Sequence, residues 1–189
     1  MELIPLATGF GVEVRGVNLI DVASSAAAYE AVRAAFEEHS VLLFRDQRIS
    51  DDVQVAYSRA FGPLELSKVG SVGHGTFYGV LRNFDADGKI VPDDHKEALR
   101  ARANQLWHTD SSFKRSPALA SVLSARTIPD RGGETQFTST RLAWERLPPA
   151  RQAKLKDLVV WHSYATSRDQ ISPRLMSQAE RDALPSIDQ

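Results

Sequence analysis

The sequence predicts an α+β fold, mainly β, in which short strands form the framework and helices flank it. Apolar residues alternate or cluster over only a few positions between turn-forming residues, a pattern typical of strands. Elsewhere they recur every three to four positions behind serine residues that can cap a helix. A chain of 189 residues, 42% hydrophobic and 25% charged, is of ordinary size and composition for one folded domain.

The N-terminal part of the chain alternates strand and helix patterns. The period-2 alternation of Val12–Arg15 predicts a strand. From Ser24 to His39 an apolar stripe predicts a helix that Ser24 or Ser25 can cap. Residues 40–45 predict a short apolar strand deep in a sheet. A second helix is expected from Ser50 to the Gly62-Pro63 stop, and both helices are expected to pack on the outside of a sheet.

The middle of the chain, residues 66–103, is the least regular. Glycines punctuate it, and Asp93–Arg102 is almost entirely charged without an apolar stripe, which predicts a long polar loop. Lys68 and His74 in this loop could reach an anionic substrate, although a surface lysine and a loop histidine are the more ordinary interpretation.

The C-terminal part again mixes strands and helices. The patterns predict strands at Ala118–Ile128 and Leu158–Tyr164, with a turn at residues 129–133. They also predict a helix from Thr138, Ser139 or Thr140 to Pro148-Pro149, a helix from Pro149 to about Leu158, and a last short helix opened by the capping box of Ser177 and Glu180.

One short segment contains the candidate chemistry. His108 and Asp110 are separated by one residue, so on an extended backbone both side chains leave the same face. An imidazole and a carboxylate that converge in this way supply two of the three protein ligands of a non-haem Fe(II) site. Alone, such a pair is more often an ordinary hydrogen bond. Trp107 and Phe113 flank the pair and are expected to keep water away from it.

Several motifs together resemble the Fe(II)/2-oxoglutarate dioxygenases of the taurine dioxygenase and 2,4-dichlorophenoxyacetate dioxygenase family. The resemblance runs from about Gly11 to Pro185 and is closer to the phenoxyacetate branch. The matching segments are Val41–Arg45, Phe61–Glu65, Asn104–Phe113 and Gly132–Thr135.

The resemblance implies a fold, a site and a reaction. The fold is a double-stranded β-helix (jelly-roll, cupin-like) with flanking helices. His108 and Asp110 would bind Fe(II), Thr135 would hydrogen-bond the distal carboxylate of 2-oxoglutarate, and Asn104 would lie near the substrate. With O2 as the second co-substrate, the reaction would hydroxylate a small carboxylate- or sulfonate-bearing substrate and release succinate and CO2. An aryloxyalkanoate similar to 2,4-dichlorophenoxyacetate is the substrate expected from the branch.

One departure from the family pattern concerns the far end of the site. The family has a second metal-binding histidine and a 2-oxoglutarate-binding arginine on a distant strand, and no such pair is found before Gln189. His162 lies too early and in different surroundings. We therefore expect residues 1–189 to form a single catalytic domain that is truncated before the distal metal-ligand strand, with a β-helix incomplete at the C-terminus. Alone, these residues are expected to be inactive.

The composition limits which classes of molecule the protein is expected to bind. The formal net charge of −1 gives no electrostatic surface for nucleic acid or an anionic membrane, and zero cysteines exclude disulfides and thiolate metal sites. We expect a cytoplasmic protein with a small anionic substrate, and leave self-association into a homo-oligomer open. Two alternatives remain, a Zn²⁺ hydrolase and a non-catalytic homologue acting as a binding or subunit chain.

Overall fold

The computed structural model describes residues 1–66 and 75–189, so Lys68 and His74 lie outside the described residues. The chain divides into two compact units, each built from two separate segments. Unit 1 contains Met1–Leu64 and Val122–Asp157, and unit 2 contains Glu65–Ser121 and Leu158–Gln189. Whether the chain is one catalytic domain stays a prediction. Within the described residues, no helix has both the length and the apolar content required to traverse a lipid bilayer.

Unit 1 contains a three-stranded sheet with its longest strands at the N-terminus. Strands β1 (Glu2–Ala7) and β2 (Phe10–Arg15) pair antiparallel, and β3 (Leu42–Leu43) pairs parallel with the other edge of β2. The predicted strand at Val12–Arg15 is confirmed. The prediction of a deeply buried strand at residues 40–45 is wrong in extent, because only two half-buried residues pair and they form an edge.

Three helices accompany this sheet in unit 1. They are α1 (Leu19–Ser24), α2 (Ala26–His39) and α3 (Asp51–Ala60), and of these α2 packs against β2 and β3. The helix predicted from Ser24 to His39 is confirmed as α2, with Ser25 as its cap. The extended backbone of Ser25 separates it from α1, which the sequence did not predict. The Ser25 hydroxyl accepts from the Ala28 amide as an N-cap. The predicted cap at Ser50 is confirmed, since its hydroxyl accepts from the Val53 amide.

The core of unit 1 lies mainly between these helices. Its buried residues are Leu19, Val22, Val32 and Tyr57, of which Val32 is fully buried. The Tyr57 ring stands edge-on to Phe44 with ring centres 6.1 Å apart, and burial raises the pKa of the Tyr57 phenol to about 12. Apolar burial of this kind is the main force that holds a small unit together.

The second segment of unit 1 returns to the helices of the first. Gln54 Nε2 donates to the Val122 carbonyl at 3.0 Å, and Arg126 Nη2 donates to Asp51 Oδ1 at 2.8 Å. This segment forms α5 (Thr140–Glu145), capped by Ser139, and α6 (Pro149–Leu155), which begins at a proline as predicted but ends earlier than predicted.

A buried carboxylate lies on the central strand of this sheet. Glu13 is 7% exposed, and its two oxygens accept from Arg15 Nε at 2.6 Å and Arg45 Nε at 3.0 Å. The hydrogen bond from Arg15, followed by that from Arg45, holds the pKa of Glu13 below its usual value. Because the folded pKa is lowered, this carboxylate stabilises the fold above its unfolded pKa. The stabilisation is lost as the pH falls through the folded value.

The Glu13→Gln variant should therefore lose stability at neutral pH but little at acid pH. Its urea-unfolding free energy should lie below that of the wild type at about pH 7, and the two should converge once the pH has fallen below the folded pKa of Glu13. A Glu38→Gln variant, which changes an exposed carboxylate on α2, should have the unfolding free energy of the wild type at both neutral and acid pH. If acidification lowered the unfolding free energy of the wild type and of Glu13→Gln equally, the stabilising role of the ionised Glu13 would be contradicted.

Unit 2 contains mainly short helices. They are α4 (Lys96–Asn104), α7 (Tyr164–Asp169), a 3₁₀ turn at Pro173–Leu175 and α8 (Gln178–Ala183), together with a two-stranded sheet of β4 (Trp161–His162) and β5 (Ile187–Asp188). The capping box predicted for α8 is confirmed, because the Ser177 hydroxyl and the Glu180 carboxylate each accept from the other's backbone amide.

Two sequence predictions for unit 2 are wrong. The charged segment at Asp93–Arg102 was expected to be a loop, yet it forms most of α4 because Leu99 and Ala103, one turn apart, bury against Leu175. Of the strand predicted at Leu158–Tyr164, only Trp161–His162 forms. The helix α7 begins at Tyr164, directly after its cap Ser163.

The prediction of a mainly β chain is not confirmed by the described residues, where eight α-helices accompany five strands. The strand expected at Ala118–Ile128 does not form, since none of its residues has a ladder partner in the described part of the chain. An apolar run indicates that a segment can enter a sheet, but a strand exists only where a neighbouring strand supplies its hydrogen bonds.

Candidate metal centre

The segment that contains His108 and Asp110 lies in unit 2, directly after α4. Its backbone is irregular through His108 and enters a turn at Asp110, so the expected strand is absent. Ser111 has φ of 58°, in the left-handed region, and its carbonyl accepts from the Lys114 amide at 2.9 Å. The turn therefore begins at Asp110 and includes the left-handed residue Ser111.

The two predicted ligands nevertheless converge. His108 Nε2 lies 3.3 Å from Asp110 Oδ1. Two ligands that meet an ion at about 2.1 Å and at right angles lie roughly 3.0 Å apart, so the spacing suits one divalent metal. The residue types also match, because imidazole and carboxylate form part of the Fe(II) facial triad.

The opposite atom of each ligand is held by the protein. His108 Nδ1 lies 2.6 Å from the Leu106 carbonyl oxygen, which can only accept, so Nδ1 is the donor and Nε2 is the nitrogen that a metal would take. The Ser121 hydroxyl donates to Asp110 Oδ2 at 2.6 Å, which directs Oδ1 toward His108. Such contacts behind a ligand fix its orientation.

A second group of side chains fixes the turn behind Asp110. The buried Ser111 hydroxyl lies 2.9 Å and 3.1 Å from the two carboxylate oxygens of Glu65, and Lys114 Nζ lies 2.6 Å from Glu65 Oε1. The lysine charge compensates the carboxylate, and the hydroxyl donates to it. The left-handed conformation of Ser111 is therefore stabilised by a charged hydrogen bond.

Water exclusion, which the sequence predicted from Trp107 and Phe113, is not seen. Trp107 is 67% exposed, and the side chains of His108 and Asp110 are 40% and 59% exposed. Phe113 packs instead against Tyr164 of α7, with ring centres 4.8 Å apart. The pair is thus open to solvent in the described structure.

The other predicted site residues lie in different places. Asn104 is the last residue of α4, in the same unit as the pair, and its Oδ1 accepts from Arg168 Nη1 at 3.2 Å. Thr135 is exposed in unit 1, on an irregular segment after a turn in which Gly132 and Gly133 have φ of 77° and 75°. The turn predicted at residues 129–133 is confirmed, and the backbone at Thr135 is neither helix nor strand.

The metal-binding roles stay predictions. Over residues 1–66 and 75–189, no group of three or more His, Cys, Asp or Glu side chains gathers in a way that could hold a metal. His162 lies on β4, opposite Ile187 of β5. Three further residues contact the predicted ones, namely Leu106, Ser121 and Arg168. Their contacts depend on the fold and have no spacing signal in the sequence.

Comparison with known proteins decides the family. The model of the family described as "Taurine catabolism dioxygenase TauD, TfdA family" matches residues 2–188. The chain belongs to this family. Members of the TauD/TfdA family include 2-oxoglutarate-dependent dioxygenases, with Fe(II) and O2 as standard requirements, so the resemblance given by the motifs is confirmed.

Individual TauD/TfdA relatives support this assignment. The chain is 37% identical over 188 residues to the alpha-ketoglutarate-dependent 2,4-dichlorophenoxyacetate dioxygenase of Cupriavidus pinatubonensis, and this match covers 97% of the chain and 65% of the relative. It is 30% identical over 172 residues to the (S)-phenoxypropionate/alpha-ketoglutarate-dioxygenase of Sphingobium herbicidovorans, covering 90% of the chain and 56% of the relative. The chain therefore spans less than two thirds of the length of these curated relatives.

A solved structure shows the same fold. The crystal structure of AAD-2 in complex with Mn(II) and N-oxalylglycine superposes with a TM-score of 0.85 at 31% identity, covering all of this chain and 66% of that one. The neighbours of this TauD/TfdA chain imply a jelly-roll fold, although the chain itself shows few strands.

Proposed function

We propose that the protein with this chain is an Fe(II)- and 2-oxoglutarate-dependent dioxygenase that hydroxylates a small carboxylate- or sulfonate-bearing molecule. An aryloxyalkanoate is the first candidate substrate. The observation that carries the proposal is the 3.3 Å approach of His108 Nε2 and Asp110 Oδ1, each with its opposite atom held by the protein. The names of the phenoxy-acid relatives support the substrate class.

Each site residue has a role in this proposal. His108 and Asp110 hold the metal, and the Thr135 hydroxyl donates to the distal carboxylate of 2-oxoglutarate. Asn104 lies beside the substrate. When bound, Fe(II) with 2-oxoglutarate supplies the oxidising chemistry, in which one atom of O2 enters the substrate C–H bond and the other enters succinate as CO2 leaves. The proposal includes a double-stranded β-helix, which the likeness to AAD-2 supports.

The deciding experiment measures turnover of 2-oxoglutarate by this chain joined to the downstream segment of a relative, because the family's distal histidine and arginine are not found before Gln189. We expect succinate formation that requires Fe(II) and 2-oxoglutarate, is stimulated by ascorbate, and is enhanced by phenoxyacetate with release of phenol. Activity supported by Zn²⁺ without 2-oxoglutarate would instead indicate a hydrolase. A folded protein that binds neither Fe(II) nor 2-oxoglutarate would indicate the non-catalytic alternative.

The Thr135→Val variant tests the co-substrate contact. Valine keeps the β-branched shape but removes the hydroxyl, and a hydrogen bond to a charged group contributes about 1.5–3 kcal/mol. The affinity of the metal-loaded protein for 2-oxoglutarate, measured by calorimetry, should fall roughly ten- to a hundredfold. Thr138→Val, another exposed hydroxyl on the same segment, should leave that affinity unchanged. Equal affinities in wild type and Thr135→Val would remove Thr135 from the site.

A further inference from the structure

The helix α7 contacts both ends of the segment that contains the metal pair. Its Tyr164 packs against Phe113, three residues after Asp110, with ring centres 4.8 Å apart. Its Arg168 donates from Nη1 to Asn104 Oδ1 at 3.2 Å, four residues before His108. Residues four apart lie on the same face of a helix, so one face of α7 lies along this segment.

Arg168 is a cation without a counter-ion in the described residues. Throughout residues 1–66 and 75–189, no carboxylate lies within 4.0 Å of its guanidinium, and its protein hydrogen bond is to the neutral amide of Asn104. The neighbouring acid, Asp169, is already bound through both oxygens by Arg181 at 2.6 Å and 2.9 Å. The pKa of Asp169 is lowered because Arg181 donates to it.

The guanidinium is also held in place. It is half-buried and lies over the Tyr164 ring, with 4.5 Å from its central carbon to the ring centre. Its Nε is buried and has no hydrogen-bond partner in the part of the chain that the structure describes, whereas most buried donors have one. Nη1 donates to Asn104, and no acceptor for Nη2 is found among the described residues, 1–66 and 75–189. An oriented, uncompensated arginine of this kind suits a carboxylate or sulfonate.

We propose that Arg168, oriented by Asn104 and Tyr164, binds the anionic group of the primary substrate. This inference rests on the proposed function and names the residue that selects a charged substrate. It also explains the role given to Asn104, whose amide oxygen fixes the guanidinium. The aromatic pair of Phe113 and Tyr164 offers an apolar surface beside the charge, which suits an anion with an apolar body.

The test compares an anion with its neutral counterpart. Phenoxyacetate and 2-phenoxyethanol have the same ring and ether, but only the first has a carboxylate. In calorimetry with the metal- and 2-oxoglutarate-loaded protein under anaerobic conditions, Arg168→Gln should weaken phenoxyacetate binding roughly ten- to a hundredfold. Binding of 2-phenoxyethanol and of 2-oxoglutarate should stay unchanged. Arg174→Gln, an exposed arginine of the same unit, is the matched control and should bind phenoxyacetate as the wild type does.

A second variant tests the charge without removing the arginine. Asn104→Asp would place a carboxylate beside Arg168 and neutralise it, so phenoxyacetate binding should again fall. That loss should be much smaller in the Arg168→Gln background, because the charge to be neutralised is already gone. An equal loss in both backgrounds would mean that the introduced carboxylate simply repels the anion, and would count against the proposal. Should Arg168→Gln fold poorly, Arg168→Lys replaces it in the phenoxyacetate titration, and a partial loss of affinity is expected because lysine keeps the charge but loses the planar fork.

The outcomes separate this inference from the proposed function. Succinate formation in the wild type with unchanged phenoxyacetate affinity in Arg168→Gln would overturn the anion site alone. A parallel loss of 2-oxoglutarate affinity would assign Arg168 to the co-substrate and also overturn it. Phenoxyacetate binding that depends on Arg168 in a protein that makes no succinate would leave the anion site standing and reject the dioxygenase.

Discussion

Replacing His108 or Asp110 by alanine should abolish metal binding at this site and all activity that depends on it. Each change removes one of two ligands whose free atoms lie 3.3 Å apart. Loss of a residue that merely supports a ligand typically costs ten- to a hundredfold in metal affinity, so loss of a ligand itself should cost about a hundredfold or more. The measurement is titration with Mn(II), followed by the electron paramagnetic resonance signal of the free ion.

A graded series makes this prediction specific. Ser121→Ala keeps both ligands but removes the 2.6 Å hydrogen bond to Asp110 Oδ2, so its loss should be smaller, roughly tenfold. His162→Ala, in the same unit, should bind Mn(II) as the wild type does. Undiminished binding in both ligand variants would remove the pair from the metal site, and an equal loss in His162→Ala would add His162 to it.

The second large effect is expected at Ser111, and it concerns the turn rather than a ligand. In Ser111→Val the charged hydrogen bond to Glu65, about 1.5–3 kcal/mol, is lost, and a β-branched side chain enters the left-handed region at φ of 58°. The unfolding free energy should fall by about 3 kcal/mol. Because the turn begins at Asp110, Mn(II) affinity should fall as well.

The stability lost through backbone conformation can be measured separately from the stability lost with the hydrogen bond. Ser111→Gly also loses the hydroxyl but adopts positive φ readily, so it should be more stable than Ser111→Val by roughly 1–2 kcal/mol. Ser112→Val, next in sequence and without positive φ, should have a much smaller effect. Equal stabilities of the valine and glycine variants, measured by urea unfolding, would show that the backbone of Ser111 is unstrained.

Local signals in the sequence predicted local structure well. The caps at Ser50 and Ser177, the proline that begins α6 and the glycine turn at Gly132-Gly133 are all confirmed, because each depends on residues within one turn of the chain. The helix at Lys96–Asn104 was missed because its buried stripe consists of only Leu99 and Ala103, within a charged sequence.

Non-local structure was predicted less well. The apolar run at Ala118–Ile128 indicated a strand, but pairing requires a partner strand that no local pattern specifies. The same reason applies to the site. The His108 and Asp110 spacing was visible in the sequence, whereas Ser121 and Arg168 reach the site from distant segments and only the fold reveals their contacts.

The discontinuity of unit 1 has a consequence for how the protein is made. Its helices contact Val122 and Arg126, which are synthesised only after all of residues 65–121. Because synthesis proceeds at roughly 5–20 residues per second, the first segment of unit 1 exists for several seconds before the second segment is made. During that interval the apolar face of α1, α2 and α3 lacks part of its cover, and closing the intervening loop opposes rapid folding. Nascent chains of this protein should therefore depend on chaperones during synthesis more than a protein with the same core built from one continuous segment.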